Sequence, residues 1–246
     1  MPKTGCFCVL LLTAVFICNN SNCQPANGDS VFYTTITGNV KTAYFSVVKE
    51  KTGLYNGVAY EAYGHGEQGT PFFMEDSIVR GPVLYDGFLY EDVPLKYDMV
   101  NDELVTLYYY NNVLLQLIKD KVNYFEIMGH QFVRLDKNIQ NPAGPSGFCE
   151  LLYNDKKMQV LAKRTKELKM STNIEDKSSG FVQYNGYFII KDDKYVAINA
   201  ESDLMKLFSD KAQEVKKFMR TAKIKYKKHP EQYMVAATTF YNGLTK

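Results

Sequence analysis

The sequence predicts a mainly β protein, an antiparallel β-meander forming an open curled sheet or a partial barrel, followed by a small C-terminal α-helical segment. Three observations carry this reading. An aromatic residue precedes a turn pair at Tyr55-Asn56-Gly57, Tyr85-Asp86-Gly87 and Tyr184-Asn185-Gly186, with weaker versions at Tyr110-Asn111-Asn112 and Tyr153-Asn154-Asp155. Between these pairs lie short runs rich in β-branched and aromatic residues, as strands require. Beyond residue 200 the period becomes helical, with Val215, Phe218, Met219 and Ala222 at i, i+3, i+4 and i+7.

The elements follow in order from the N-terminus. Met1 and Lys3 precede an apolar run from Cys6 to Cys18 that only Thr13 interrupts, and then the polar stretch 19–22. Such a run is shorter than the roughly 20 residues a helix needs to cross a bilayer, so residues 1–23 read as a secretory signal peptide. Ser21 and Cys23 suit the −3 and −1 positions. Phe16-Ile17 before Cys18 and Asn22 before Cys23 are poor lipobox residues. The expectation is therefore a periplasmic or extracellular protein rather than a lipid-anchored one. Cleavage leaves Cys149 as the only cysteine of the original five, so no internal disulfide can form.

Residues 24–53 read as an N-terminal extension, 54–200 as the sheet domain and 201–246 as helices packing on that sheet. Asn-Gly and Asp-Gly tolerate the positive φ angles of type I′ hairpin turns, which sets the expected strand boundaries. Strands are expected over Ser77–Tyr85, Phe88–Val93, Leu104–Tyr110, Val113–Ile118, Lys121–Ile127 and His130–Leu135. After the Pro/Gly loop 141–147 come Phe148–Tyr153, Met158–Arg164, Phe181–Tyr184, Tyr187–Lys191 and Lys194–Ile198. Ser202 is positioned to cap a helix running through Phe208, and Asp210 with Gln213 three residues later opens a second. Pro230 suits the first position of a third helix, with Gly243 as its stop.

Most familiar chemistries lack their residues. Gly64-His65-Gly66-Glu67-Gln68-Gly69 spells a dinucleotide-binding motif, but Thr70-Pro71-Phe72-Phe73 follows it where a helix would have to begin. The three histidines, His65, His130 and His229, have no partner at metal-ligand spacing, so neither a metal nor a cofactor is expected. Gly144-Pro145-Ser146-Gly147 lacks the spacing of a hydrolase elbow. The catalytic candidate is a thiol–imidazole pair, Cys149 with His130, on adjacent strands around the loop. It competes with a packing role for Cys149 inside a strand. Asp86, Glu91, Asp92, Asp98, Asp102 and Glu103 make 86–103 acidic, which reads as a charged sheet edge.

Two surfaces could bind. Tyr55, Tyr85 and Tyr110 stand beside turns, where a ring can stack on a protein or glycan while its hydroxyl stays wet. Lys216, Arg220, Lys223 and Lys227 form a stripe along a basic helix spanning 210–228, opposite its apolar face. Export argues against nucleic acid as the partner and leaves anionic envelope surfaces. The overall charge of +2 hides this polarity: residues 24–150 carry 9 basic and 16 acidic side chains, whereas 151–246 carry 19 and 11.

Leu54-Tyr55-Asn56-Gly57, Pro71-Phe72-Phe73, Val83-Leu84-Tyr85-Asp86-Gly87, Val93-Pro94-Leu95, Phe132-Val133-Arg134-Leu135 and Lys163-Arg164-Thr165 appear in that order. Together with the Lys-rich stretch ending at Lys228-His229-Pro230, the series resembles a group of uncharacterised exported proteins of Bacteroidota. That resemblance implies an exported, β-rich envelope protein and transfers no functional residue. The functional expectation is a non-enzymatic binding or assembly role toward an envelope protein or glycan. The alternatives are a thiol-dependent enzyme using Cys149 with His130, and peripheral attachment through the basic helix.

Overall fold

Eleven strands form one open antiparallel sheet in the computed structural model of the chain, which describes residues 53–64, 67–108, 110–136, 144–170 and 179–245. The predicted signal peptide, nearly all of the extension, and His65-Gly66 of the glycine motif lie outside the described residues. The strands are β1 (Val58–Ala59), β2 (Val79–Tyr85), β3 (Phe88–Asp98), β4 (Glu103–Tyr108), β5 (Val113–Gln116) and β6 (Val122–Ile127), then β7 (His130–Leu135), β8 (Gly147–Asn154), β9 (Met158–Met170), β10 (Ser179–Lys191) and β11 (Lys194–Ala197). Across the sheet they run β1-β5-β4-β3-β2-β6-β7-β8-β9-β10-β11. Every pair is antiparallel, but there are two meanders, not one. β6 adds beside β2, so the link 117–121 must cross to the other side of the first meander before the second begins.

Positive φ angles mark the tight turns. Asp86 and Gly87 (φ 52° and 79°) join β2 to β3 as predicted, and Met128-Gly129 and Asp192-Asp193 do the same for β6–β7 and β10–β11. The other two Asn-Gly pairs are not turns. Asn56-Gly57 follows a 3₁₀ turn, Gly53–Tyr55, and a Cβ on Gly57 would stand 1.9 Å from the Gln116 carbonyl oxygen. Asn185-Gly186 lies inside β10, paired to Arg164 and Lys163. β9 extends to Met170 and offers a partner to every residue from Ser179 to Lys191, so the ladder outweighs the local turn preference. The outer edge of β10 is covered by Gln68 at Gly180 and by β11 from Phe188 onward, and no strand among the described residues pairs with it between them.

Apolar side chains separate by face. Tyr97, Phe125, Phe132 and Phe148, all fully buried, form an aromatic cluster with ring centroids about 5 to 6 Å apart. A second core is made by Met158, Val160 and Ile189 of the sheet with residues of the three helices α1 (Glu201–Leu207), α2 (Ala212–Ala222) and α3 (Pro230–Leu244). A third and smaller cluster, Val133, Cys149 and Leu161, lies on the reverse face, since these residues alternate with Phe132, Phe148 and Val160.

The helices depart from expectation in detail. α1 has Ala200 at its N-cap, and the Asp203 carboxylate accepts the Asn199 and Ala200 N–H groups where Ser202 was expected to cap. Ser209–Lys211 is a 3₁₀ turn that precedes α2. Pro230 does occupy the first turn of α3, which runs past Gly243 to Leu244. α3 lies on β8 and β9, while α2 packs along α3 with Phe218 stacked on Phe240 at 4.2 Å.

The acidic segment is not an edge. β3 sits between β2 and β4, and its carboxylates have local partners: Asp86 with Lys121, Asp92 with Arg80. Asp98, fully buried, accepts the Tyr60 and Tyr63 hydroxyls and the Val100 and Asn101 N–H groups. Asp102 ties the two meanders together. It accepts the Tyr97 hydroxyl (2.7 Å), the ammonium groups of Lys119 (2.6 Å) and Lys163 (2.9 Å), and the Phe148 N–H. Beside it Lys166 N–H donates to Met99 O, and the Lys166 ammonium to the Thr70 and Phe72 carbonyls. Asp102→Ala leaves two lysines and a buried phenol without their acceptor and is expected to cost about 3 kcal/mol, read as a lower urea midpoint at an unchanged m-value.

Candidate functional site

Strand register decides the fate of the thiol–imidazole pair. Phe132 pairs with Glu150 and Val133 with Cys149, and side chains alternate along each strand. His130, two residues from Phe132, therefore shares a face with Glu150, and Cys149 points to the other. The imidazole engages elsewhere: its Nδ1 lies 2.5 Å from Glu150 Oε1, and its ring meets Phe73 edge-on at 5.1 Å. Cys149 is fully buried among Val133 and Leu161, and burial pushes its thiol up to about 12. The register does not bring the two candidates together.

His130 instead belongs to a polar junction that the sequence did not reveal. Arg164 on β9 donates through Nε to Glu150 and through both terminal nitrogens to Glu231 of α3, at 3.0 and 3.1 Å. The Tyr187 hydroxyl donates to the same Glu231 carboxylate at 3.0 Å. β7, β8, β9 and β10 thus converge on the first turn of α3. Position made this junction hard to foresee, because Arg164 and Glu231 are separated by most of the helical segment. The only local hint was an arginine inside an otherwise alternating strand. Its groups are saturated by one another, which is the arrangement of a clamp between sheet and helix.

Burial alone would raise the Glu231 carboxyl, but the Arg164 hydrogen bonds and charge hold it below the usual 4.5. A depressed carboxyl stabilises the fold above its unfolded value and loses that contribution as the pH falls through its folded one. Arg164→Ala is expected to cost about 3–5 kcal/mol, because it strands the nearly inaccessible Glu150. Glu231→Gln is expected to cost less and to remove part of the stability lost below pH 4.5. Urea unfolding at pH 7 and pH 4 checks both.

The tyrosine candidates divide. Tyr85 is fully buried, with its hydroxyl donating to Asn56 Oδ1, so it is a core residue and not a surface contact. Tyr55 and Tyr110 both meet Tyr108, the first tilted and the second edge-on, with ring centroids 5.2 and 5.4 Å apart. Tyr110, at its outer end, is 58% exposed.

The basic stripe survives in composition and changes in shape. α2 ends at Ala222, and Lys223 takes a left-handed conformation (φ 57°), so Lys223 and Lys227 stand on the α2–α3 connection and not on a helix face. The helix expected to span 210–228 is shorter because the chain must turn back before Pro230, which cannot continue it. Lys216, Lys217, Arg220, Lys223, Lys225, Lys227 and Lys228 have no acidic residue among them in the sequence. None of these seven forms an ion pair with a described carboxylate. Six of them are exposed and Lys216 is half-buried. The apolar side of α2 is covered, since Val215 and Met219 are buried in the helical core.

Among the described residues no group of His, Cys, Asp and Glu is placed to hold a metal ion, and no helix is long and apolar enough to cross a membrane. Compared with known proteins, the chain matches no protein-family model, no curated protein and no solved structure.

A thiol ordinarily titrates near 9.0 and a phenol near 10.0, and burial raises Cys149, Tyr124 and Tyr187 to about 12. The folded state holds these protons more tightly than the unfolded chain. Their contribution is complete below pH 9 and is lost as the pH climbs toward 12. Native protein at pH 8 is expected to leave Cys149 unlabelled by a small disulfide reagent, with labelling of its own peptide appearing only on unfolding, and stability should fall steeply on the alkaline side.

Proposed function

We propose that the protein is an exported, non-enzymatic binding protein that attaches to anionic envelope surfaces through the cationic segment 216–228. The carrying observation is that segment: seven cations in thirteen residues, without an acidic residue among them or an ion pair to a described carboxylate. Proteins ordinarily intersperse the two signs on their surfaces, and a single-sign patch attracts counter-charge over a Debye length of about 8–10 Å. Asp102, Asp98 and Arg164, by contrast, have their partners inside the fold.

The non-enzymatic part is supported by the thiol and imidazole lying on opposite faces of the sheet, and by the thiol's burial. Export rests on the N-terminal apolar run and the polar stretch after it. Because the apolar side of α2 is covered by α3, attachment is by charge and not by insertion. A second surface, the Tyr55–Tyr108–Tyr110 aromatic cluster ending in exposed Tyr110, suits an additional glycan or protein contact.

Sedimentation with vesicles tests the attachment. Vesicles containing phosphatidylglycerol should carry the protein down at low salt and release it at 0.5 M NaCl, whereas phosphatidylcholine vesicles should not bind it. Each lysine or arginine near an anionic surface contributes about 1 kcal/mol, so the combined Arg220→Gln, Lys223→Gln and Lys225→Gln variant should bind roughly 100-fold more weakly. Retention at high salt, or equal binding to both vesicles, would refute the charge-driven reading.

A further inference from the structure

A run of main-chain hydrogen-bonding groups faces outward in the middle of β10. Residues 182–186 are all exposed, and no strand among the described residues pairs with them on that side. Odd positions of β10 turn their main-chain groups away from β9. Phe181 N–H donates to Gln68 O, and Tyr187 O accepts from Ile198 N–H. Gln183 and Asn185 continue that alternation, so each offers an N–H and a C=O outward. No described residue bonds to these four groups.

The side chains along this edge sort by face, and its two ends differ in charge. Asn185 pairs with Arg164, which meets α3, so Gln183 and Asn185 lie on the helix face. Val182 and Tyr184, both exposed, lie on the reverse face. At the Gln68 end, Val182 pairs with Glu167. At the β11 end the α2–α3 connection returns to the sheet: the Tyr226 hydroxyl donates to Ile198 O at 3.4 Å, beside the Ile198–Tyr187 bond. Exposed Lys225, Lys227 and Lys228 flank that tyrosine in sequence and form no ion pair with a described carboxylate. Glu231, at the start of α3, is held by Arg164 and Tyr187.

We propose that residues 182–186 of β10 take up a short extended segment of a partner protein, acidic at its N-terminal end and alternating polar and apolar after it. The added strand runs antiparallel to β10, as β9 and β11 do. Its residues opposite Gln183 and Asn185 exchange both N–H···O bonds with them, and those opposite Val182 and Tyr184 lay apolar side chains beside theirs. In this sense its N-terminal carboxylates arrive at the β11 end, next to Lys225, Lys227 and Lys228, and away from Glu167. The contact goes beyond the attachment reading, because it is made to the main chain of a protein and not to a lipid surface.

The probe is a fluorescein-labelled peptide, Glu-Glu-Thr-Val-Thr-Val, titrated with the full chain at low salt and followed by anisotropy. Saturable binding is expected. N-methylation of the two threonine amides removes the peptide's donors without altering the protein, and should weaken binding about 10-fold. Lys-Lys in place of Glu-Glu should weaken it by about the same factor. Amide exchange at Gln183 and Asn185 should slow about 10-fold under saturating peptide. Gln183→Pro, checked for folding by its urea midpoint, removes one outward N–H and should bind the acidic peptide several-fold more weakly. The same variant should still sediment with phosphatidylglycerol vesicles, so the edge contact and the attachment fail separately. No saturable binding, equal affinity for the N-methylated peptide, or unchanged exchange at those two amides would overturn strand addition. Equal affinity for the Lys-Lys peptide would overturn the acidic partner.

Discussion

The curl of the sheet is tied at Asp102, with the Lys166 bonds to Met99, Thr70 and Phe72 beside it. Asp102 sits at the β3–β4 turn, a left-handed position (φ 58°), and gathers donors from β3, the β5–β6 link, β8 and β9. An antiparallel sheet of this length twists of its own accord, but twist alone does not specify where the far strands should meet. The carboxylate supplies that address. Gly147, also left-handed, leaves the room: a Cβ there would stand 1.9 Å from an Asp102 oxygen. The aromatic cluster around Tyr97 fills the space the curl encloses.

The second half of the molecule solves a different problem. β8 to β11 cannot cover their own apolar face by curling, and α3 does so instead, held by the Arg164–Glu231 pair at its start and by the Tyr241 hydroxyl donating to Asp210 near its end. α2 then covers α3. Each layer is therefore satisfied by the layer beneath it, and the last of the described layers carries the seven cations without an ion pair to a described carboxylate. The cations at 216–228 are outermost in packing order as well as late in sequence.

Sequence patterns were informative where a local rule was the only rule in force. Asp86-Gly87 forms its turn because nothing longer-ranged competes, and Pro230 opens a helix because its fixed φ suits no other role there. Asn185-Gly186 has the same local preference and is overridden, since the extended β9 pairs through it. The placement of β6 beside β2 had no signal in the chain, because it depends on burying Leu117 and Val122 against residues far away in sequence. Candidate residues fared likewise. Cys149 and His130 were adjacent by strand order, but one odd and one even position in register put them on opposite sides. Arg164 and Glu150 became visible only when the strands were laid side by side. The cationic composition was legible from the start, and its shape was not.

The part of the β10 edge left unpaired among the described residues sets a limit on what it can accept. Between the Gln68 bridge and β11 lie Val182, Gln183, Tyr184, Asn185 and Gly186, a stretch with neither charge nor proline to discourage an approaching chain. Register leaves the main-chain groups of Gln183 and Asn185 facing outward, because Phe181 N–H and Tyr187 O on either side already bond away from β9. At about 3.3 Å per residue the opening is roughly 20 Å long, closed at both ends by the protein's own backbone. A full-length strand from another copy would collide with Gln68 or with β11 before it could zip. Steric length, rather than chemical repulsion, is what limits pairing along this stretch of β10.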